Sequence, residues 1–351
     1  MSETETAAQP VLFSADTSRG FVQWLSGQRA SLAVTTYQAG KVMFLGSGAD
    51  GKLWHYNRNV GRCLGLAADE RGFWVTSDAQ LHRFDNLMQA GETDASGCDA
   101  MFAPRFSYVT GDLDIHDVGI GQGGEPVFVN TLFNCLARPS RQRSFELVWT
   151  PPFITGLKAE DRCHLNGLAM KDGAPAYVTA CSTSDTYDGW RNQRRGGGVV
   201  IDVSSGETVA RGLSMPHSPR WHQGRLWVLN SGRGELGTLD PASGKFEMVA
   251  FCPGYLRGLA FLGGYAIVGL SLPRDNKTFN GLGLDEELAA RAMSARCGLY
   301  VIDLKTGSIA HSIVFGGVVT ELYDVAVLTG VRQPAMIGFQ GNEIKRMISL
   351  G

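Results

Sequence analysis

Three of the seven histidines in this chain, His116, His164 and His217, stand about fifty residues apart, each beside a short apolar run. Three neutral imidazoles with one carboxylate make a ligand set for zinc, manganese or iron that leaves a position for water or substrate. A metal there would acidify a bound water or polarise a substrate oxygen. Glu321 and Asp324 are the candidate catalytic carboxylates, as ligand or base. The same residues also admit a metal-free polar ligand site, or purely structural work, since His, Asn and Asp at strand starts bond exposed backbone groups.

Arg62, Arg220 and Arg257 fall at matching points of the same pattern. Guanidinium forks hold carboxylate or phosphate through paired hydrogen bonds, so the expected guest is a small anionic molecule. Pairing with Asp114, Asp117, Glu321 and Asp324 inside the protein is the competing role. Asn166 and Asn230 are candidate amide contacts to a substrate, and Asn130, Asn134 and Asn230 equally suit turns. Trp190, in a polar insertion, is the candidate for stacking on a ligand. Other chemistries lack their motifs. Gly196-Gly197-Gly198 precedes a strand pattern, unlike a phosphate-binding loop, and no G-x-S-x-G elbow or C-x-x-C pair occurs.

Those residues need a scaffold that brings distant segments to one place, and internal repetition supplies it. Six anchors recur: Leu64-Gly65-Leu66-Ala67, His116-Asp117-Val118-Gly119, Asn166-Gly167-Leu168-Ala169, His217-Ser218-Pro219-Arg220, Arg257-Gly258-Leu259-Ala260 and Tyr323-Asp324-Val325-Ala326. Their second residues lie 52, 50, 51, 40 and 66 apart, close to the period of four-stranded propeller blades. His164 sits two residues before the slot that His116 and His217 fill. A second apolar strand follows each anchor, at Phe73 to Thr76, Val127 to Thr131, Ala176 to Ala180, Leu226 to Leu229, Ala266 to Leu270 and Ala335 to Phe339. Three blades carry a D-x-x-[ST]-G turn after the third strand: Asp202 to Gly206, Asp240 to Gly244 and Asp303 to Gly307.

The expected fold is all-β, a six-bladed β-propeller over residues 31–351 closed by strands from both termini, after an N-terminal extension over 1–30. Ser31 to Tyr37, Lys41 to Gly46 and Leu53 to Asn57 complete the last blade, which leaves no long free sheet edge. Two insertions follow second strands. Cys181 to Gly198 carries Trp190, and Ser271 to Arg296 carries a helix expected over Leu284 to Ala295, with Asp285 and Glu286 at its positive end. Both open on the rim that the anchors enter.

With 32 basic and 34 acidic side chains and no long run of one sign, nucleic acid and membrane surfaces are not expected partners. No stretch approaches the ~18 apolar residues of a spanning helix. The acidic start lacks a signal-peptide pattern, and seven scattered cysteines suit reduced core thiols. A cytoplasmic location is expected.

Tyr37-Gln38-Ala39-Gly40-Lys41, His164 to Ala169, Pro216 to Trp221, Leu229 to Gly234 and Arg257 to Ala260 together resemble a family of uncharacterised, conserved hypothetical bacterial proteins with propeller-like sequences, over about Ser31 to Phe339. At greater distance the repeat is similar to the gluconolactonase and strictosidine-synthase superfamily of six-bladed propellers. That resemblance implies a divalent cation, calcium included, held at the channel by Glu, Asn and Asp. Glu321, Asn166 and Asp324 are of those types, while the histidines and arginines depart from the pattern. The expected function is a metal-assisted hydrolase or lyase acting on a small anionic substrate at the channel mouth. The alternative is a non-catalytic propeller binding an anionic ligand or a partner protein through its rim.

Overall fold

The computed structural model describes residues 12–273 and 281–348. Within them six sheets surround an axis, and their innermost strands follow one another around it: Leu66–Ala68, Ile115–Ile120, Leu165–Lys171, Pro216–His222, Tyr255–Leu262 and Val325–Thr329. These strands define blades one to six, and each contains the apolar part of one sequence anchor. The chain is a six-bladed β-propeller. The channel end at which the innermost strands begin is called the upper end here.

Blade six closes the ring. Its innermost strand, Val325–Thr329, pairs with Ala30–Thr36, which is followed outward by Lys41–Ser47 and Leu53–Asn59. One strand from the C-terminal side and three from the N-terminal side therefore make this blade. The second strand expected at Ala335 to Phe339 is not there. Pro334–Met336 instead lies parallel to the start of Ala100–Val109, as a fifth strand on the outside of blade one. The fully buried Ala30–Thr36 strand already occupies the place beside Val325–Thr329, and a proline-led strand belongs at a sheet edge where a missing N–H costs least.

The segment expected as an extension also joins the blades. Phe13–Thr17 adds a fifth strand to blade five, antiparallel to Ile309–Gly317. The helix Phe21–Gln28 follows, and buries Phe21, Val22 and Leu25 at a helical spacing against the core between blades five and six. In the second insertion the helix spans Gly283–Ala290, shorter than expected. Asp285 and Glu286 do occupy its first turn; Ala292, at φ 51, lies outside the right-handed helical region. Residues 274–280 of that insertion lie outside the described residues.

The expected turns form. Asp202 accepts the Ser204 and Ser205 N–H groups at 2.8 and 2.9 Å, and Asp303 accepts those of Lys305 and Thr306 at 2.8 and 3.1 Å. A further device ties each blade to the next. Buried hydroxyls at the ends of second strands donate to the backbone entering the following blade: Thr35 to Leu64, Thr76 to Ile115, Thr131 to Leu165, Ser231 to Leu256 and Ser271 to Leu322, at 2.6 to 3.5 Å. Blade three differs, because Thr179 donates to the side chain of Asn166. All seven cysteines are buried and none forms a disulfide. Among the described residues no helix is long and apolar enough to cross a membrane.

Candidate functional site

In blades two to five the innermost strand bulges within the anchor, where its pairing with the second strand slips by one residue. A bulge re-aims side chains and is common beside sites. Here it lets neighbouring residues both face the axis. The His116 ring meets Tyr323 of blade six, edge to face at 5.5 Å, while the next residue, Asp117, meets Arg220 of blade four.

The anchors thus stack in layers. One holds Leu64, His116, Asn166, His217, Arg257 and Tyr323, so Asn166 fills the slot that histidines fill in blades two and four. The layer above holds Arg62, Asp114, His164, Met215, Tyr255 and Glu321. The layer below alternates around the ring: Gly65, Asp117, Gly167, Ser218, Gly258, Asp324. Each polar member reaches the backbone of the next blade. Asp117 accepts the Leu168 N–H at 2.9 Å, Ser218 that of Gly258 at 3.0 Å, and Asp324 that of Leu66 at 3.1 Å. The glycines make room. A Cβ on Gly65 would lie 3.0 Å from the Asp117 backbone, and one on Gly258, at φ +82, would lie 2.8 Å from Asp324 Cα.

Arg220 is locked into this lowest layer. It binds Asp117 through both terminal nitrogens at 2.7 and 3.2 Å, reaches Asp324 at 3.4 Å, and donates to the Leu168 and Leu259 carbonyls. Burial, eased by Arg220 but reinforced by Asp117, pushes Asp324 up to about 7. Below this plug a cavity of about 280 Å3 opens, lined by apolar groups such as Ile120, Met170, Phe261 and Val327. Arg220 and Asp324 therefore face one another within the protein, where substrate binding and catalysis had been expected of them.

Above the plug the three histidines come together and differ in one respect. His116 Nδ1 lies 2.8 Å from the Asp114 carbonyl, and His217 Nδ1 lies 2.9 Å from the Met215 carbonyl. His164 Nδ1 instead meets a carboxylate, Asp161 Oδ2, at 2.8 Å. Neither acceptor type carries a proton, so Nδ1 is the donor in all three rings. No Nε2 has a hydrogen bond among the described residues, and that of His217 is fully buried. Burial, with Asp114 partly opposing, lowers His116 to about 4; burial and then the nearby Arg257 cation take His217 well below the usual value. Burial alone would raise Asp161, yet His164 beside it holds that carboxyl below the ordinary range.

His164 adopts a left-handed backbone, φ 53, and its ring is fixed on two sides. Trp190 stacks on it at 4.1 Å, and His116 stands edge-on at 4.8 Å. Trp190 is 2% exposed, packed with Cys181, Met215, Tyr255, Leu282, Leu284 and Leu288 where the two insertions meet. It covers His164, where stacking on a ligand had been expected. Arg257 lies over the Tyr323 ring at 4.8 Å, and Glu321, two residues before Tyr323, is buried. Arg62 stands at the rim, bound to Asp112 at 2.7 Å with Asp114 and Asp78 within 4 Å.

The amides bond within the protein. Asn166 accepts from Thr179 and donates to the Cys181 thiol, and Asn230 bonds Ser214 N–H and Glu235. Asp161 and Tyr323 went unmarked as functional candidates in the sequence, although Asp161 stands three residues before His164 in one polar run. Among the described residues no three His, Cys, Asp or Glu side chains stand ready-arranged around an ion. The donor chemistry nevertheless suits one, since metal-binding imidazoles commit their other nitrogen to an oxygen.

Fold and axis define the class: a six-bladed β-propeller with a plugged channel and a buried cluster of histidines above the plug. The chain belongs to the family defined by a domain of unknown function, DUF4915, which it matches over residues 19–337. No curated protein matches it. Among solved structures, a nidogen/laminin complex is 12% identical, with 86% of this chain and 98% of that chain covered and a TM-score of 0.53. Virginiamycin B lyase from Staphylococcus aureus is 12% identical over 86% of this chain and 99% of that chain, with a TM-score of 0.40. At such identity the likeness of the first extends to fold alone.

Proposed function

We propose that the chain is a hydrolase or lyase acting on a small anionic molecule in the upper chamber, with His116, His164 and His217 as ligands of a divalent metal. One observation carries the reading: all three imidazoles spend Nδ1 on an oxygen, and none of the three Nε2 atoms has a hydrogen bond among the described residues. His116, His164 and His217 would hold that metal, whose chemistry there would be to acidify a water or polarise a substrate oxygen. The rest falls to this chain's own groups. Asp161 orients His164, and Trp190 shields that ring from water. Arg257, stacked on Tyr323, attracts the substrate's anionic group into a buried setting where charge interactions are strong. Glu321, buried on the same side of the plug, would serve as base or further ligand.

The depressed basicity of His116 and His217 supports this reading, because ligands must be deprotonated and these two are neutral at pH 7 without help from a metal. A second reading is a metal-free chamber that binds an anion without turning it over; among the described residues no ready-arranged ion cage stands. Metal analysis of tag-free protein separates the two. Stoichiometric zinc, manganese, iron or calcium that is lost in His164→Ala and His217→Ala supports the first. Equal and substoichiometric metal in wild type and both variants overturns it.

A further inference from the structure

Away from the channel, the helix Phe21–Gln28 presents Gln23 and Ser26, three residues apart, to a cavity of about 520 Å3. Arg29 extends that row. The opposite wall is Ser47, Gly48, Gly51 and Arg332. The volume lies in the range of small-molecule sites, and no acidic side chain lines it.

Arg62, Arg83, Arg162, Arg220 and Arg233 are each held by carboxylates. Arg29 and Arg332 form no ion pair among the described residues, yet their backbones are pinned. The Arg29 N–H caps the helix on Ser26 at 3.1 Å, and its carbonyl accepts from Gly330 at 2.7 Å. The Arg332 N–H bonds Asp99 at 2.8 Å, and its carbonyl accepts from Ser47 at 3.1 Å. The nearest turn carboxylate, Asp50, is paired with Lys52 at 3.4 Å.

We propose that this cavity is a second ligand site, which takes a small phosphorylated molecule through Arg29 and Arg332. Two guanidinium forks match phosphate oxygens, Ser26 and Gln23 add neutral donors, and the remaining volume holds the organic part. The site is separate from the channel chamber and independent of its chemistry.

The test is calorimetric titration of the full chain with inorganic pyrophosphate in low salt. Wild type is expected to bind one equivalent. Arg332→Ala and Arg29→Ala each weaken binding at least tenfold, with melting temperatures near wild type because both arginines are exposed. Arg257→Gln leaves it unchanged. Absence of binding to wild type overturns the inference. So does binding that survives both arginine variants, and if that binding disappears in Arg257→Gln it belongs to the chamber, which leaves the proposed function standing.

Discussion

Replacing Arg220 by Met tests whether the channel plug holds the ring together. Arg220 is the cation between Asp117 and Asp324, which are 2% and 3% exposed. Methionine keeps much of the stem and removes every guanidinium bond. Two carboxylates then remain buried together, supported only by backbone N–H groups. Removing one partner of a buried ion pair costs about 3–5 kcal/mol, because the other charge is left uncompensated. Asp324 is already raised toward neutrality, and losing the cation raises it further, so the native variant takes up a proton that the unfolded chain releases near pH 4. The variant's deficit is therefore largest above pH 7 and shrinks as pH falls toward 5. Urea unfolding at pH 8 and pH 5 reads this directly. Asp117→Asn added to Arg220→Met recovers part of the loss at pH 8. A single variant within about 1 kcal/mol of wild type at pH 8, or a deficit that does not change with pH, would refute the strut.

Three further outcomes follow from other parts of the ring. Thr131→Val conserves shape but leaves the Leu165 carbonyl without its 2.6 Å partner; a loss of about 1–3 kcal/mol in urea unfolding is expected, and a neutral result removes the hydroxyl belt as a stabilising device. Gly258→Ala forces a Cβ to 2.8 Å from Asp324 Cα at φ +82 and should cost more than the ~1 kcal/mol of a left-handed alanine alone; a smaller effect in thermal unfolding means the two blades are not in close contact there. His116, lowered to about 4 by burial, stabilises the fold fully above the unfolded value near 6.5 and loses that contribution as pH falls through the window down to 4, by about 2 kcal/mol at pH 5. Wild type should therefore lose more stability than His116→Gln between pH 7.5 and 5, and parallel curves contradict the assignment.

The propeller is legible in the sequence because each blade repeats a local pattern: an anchor, a second strand, a D-x-x-[ST]-G turn. The displacement of His164 from the slot of His116 and His217 is legible for the same reason, and Asn166 proves to occupy that slot. What local pattern hides is pairing across the axis. Arg220 finds Asp117 and Asp324 about a hundred residues away in each direction, and nothing in any one anchor distinguishes a guanidinium facing a ligand from one facing two aspartates. Trp190 sits in a polar insertion, yet the apolar residues that bury it, Met215, Tyr255 and Leu284, come from three other segments. The strand Phe13–Thr17 and the short strand at Pro334 are equally quiet, since their partners are outer strands that already have complete blade patterns.

The alternation of Gly65, Asp117, Gly167, Ser218, Gly258 and Asp324 also bears on the chamber above it. A bulge turns two consecutive residues toward the axis only if the lower one has somewhere to go, and in blades two and four it goes onto the backbone of the next blade. The glycine of that next blade is what permits the approach. His116 is thus aimed by Asp117, and His217 by Ser218, each through a bond that belongs to the fold. Strain introduced at Gly167 or Gly258 would consequently reach the imidazoles without touching them: Gly167→Ala, whose Cβ would lie 3.1 Å from the Ser218 nitrogen, should alter the His217 ring resonances in NMR spectra while leaving Arg29 and Arg332 unperturbed. Unchanged His217 resonances in a folded Gly167→Ala protein would show that the chamber is positioned independently of the layer beneath it.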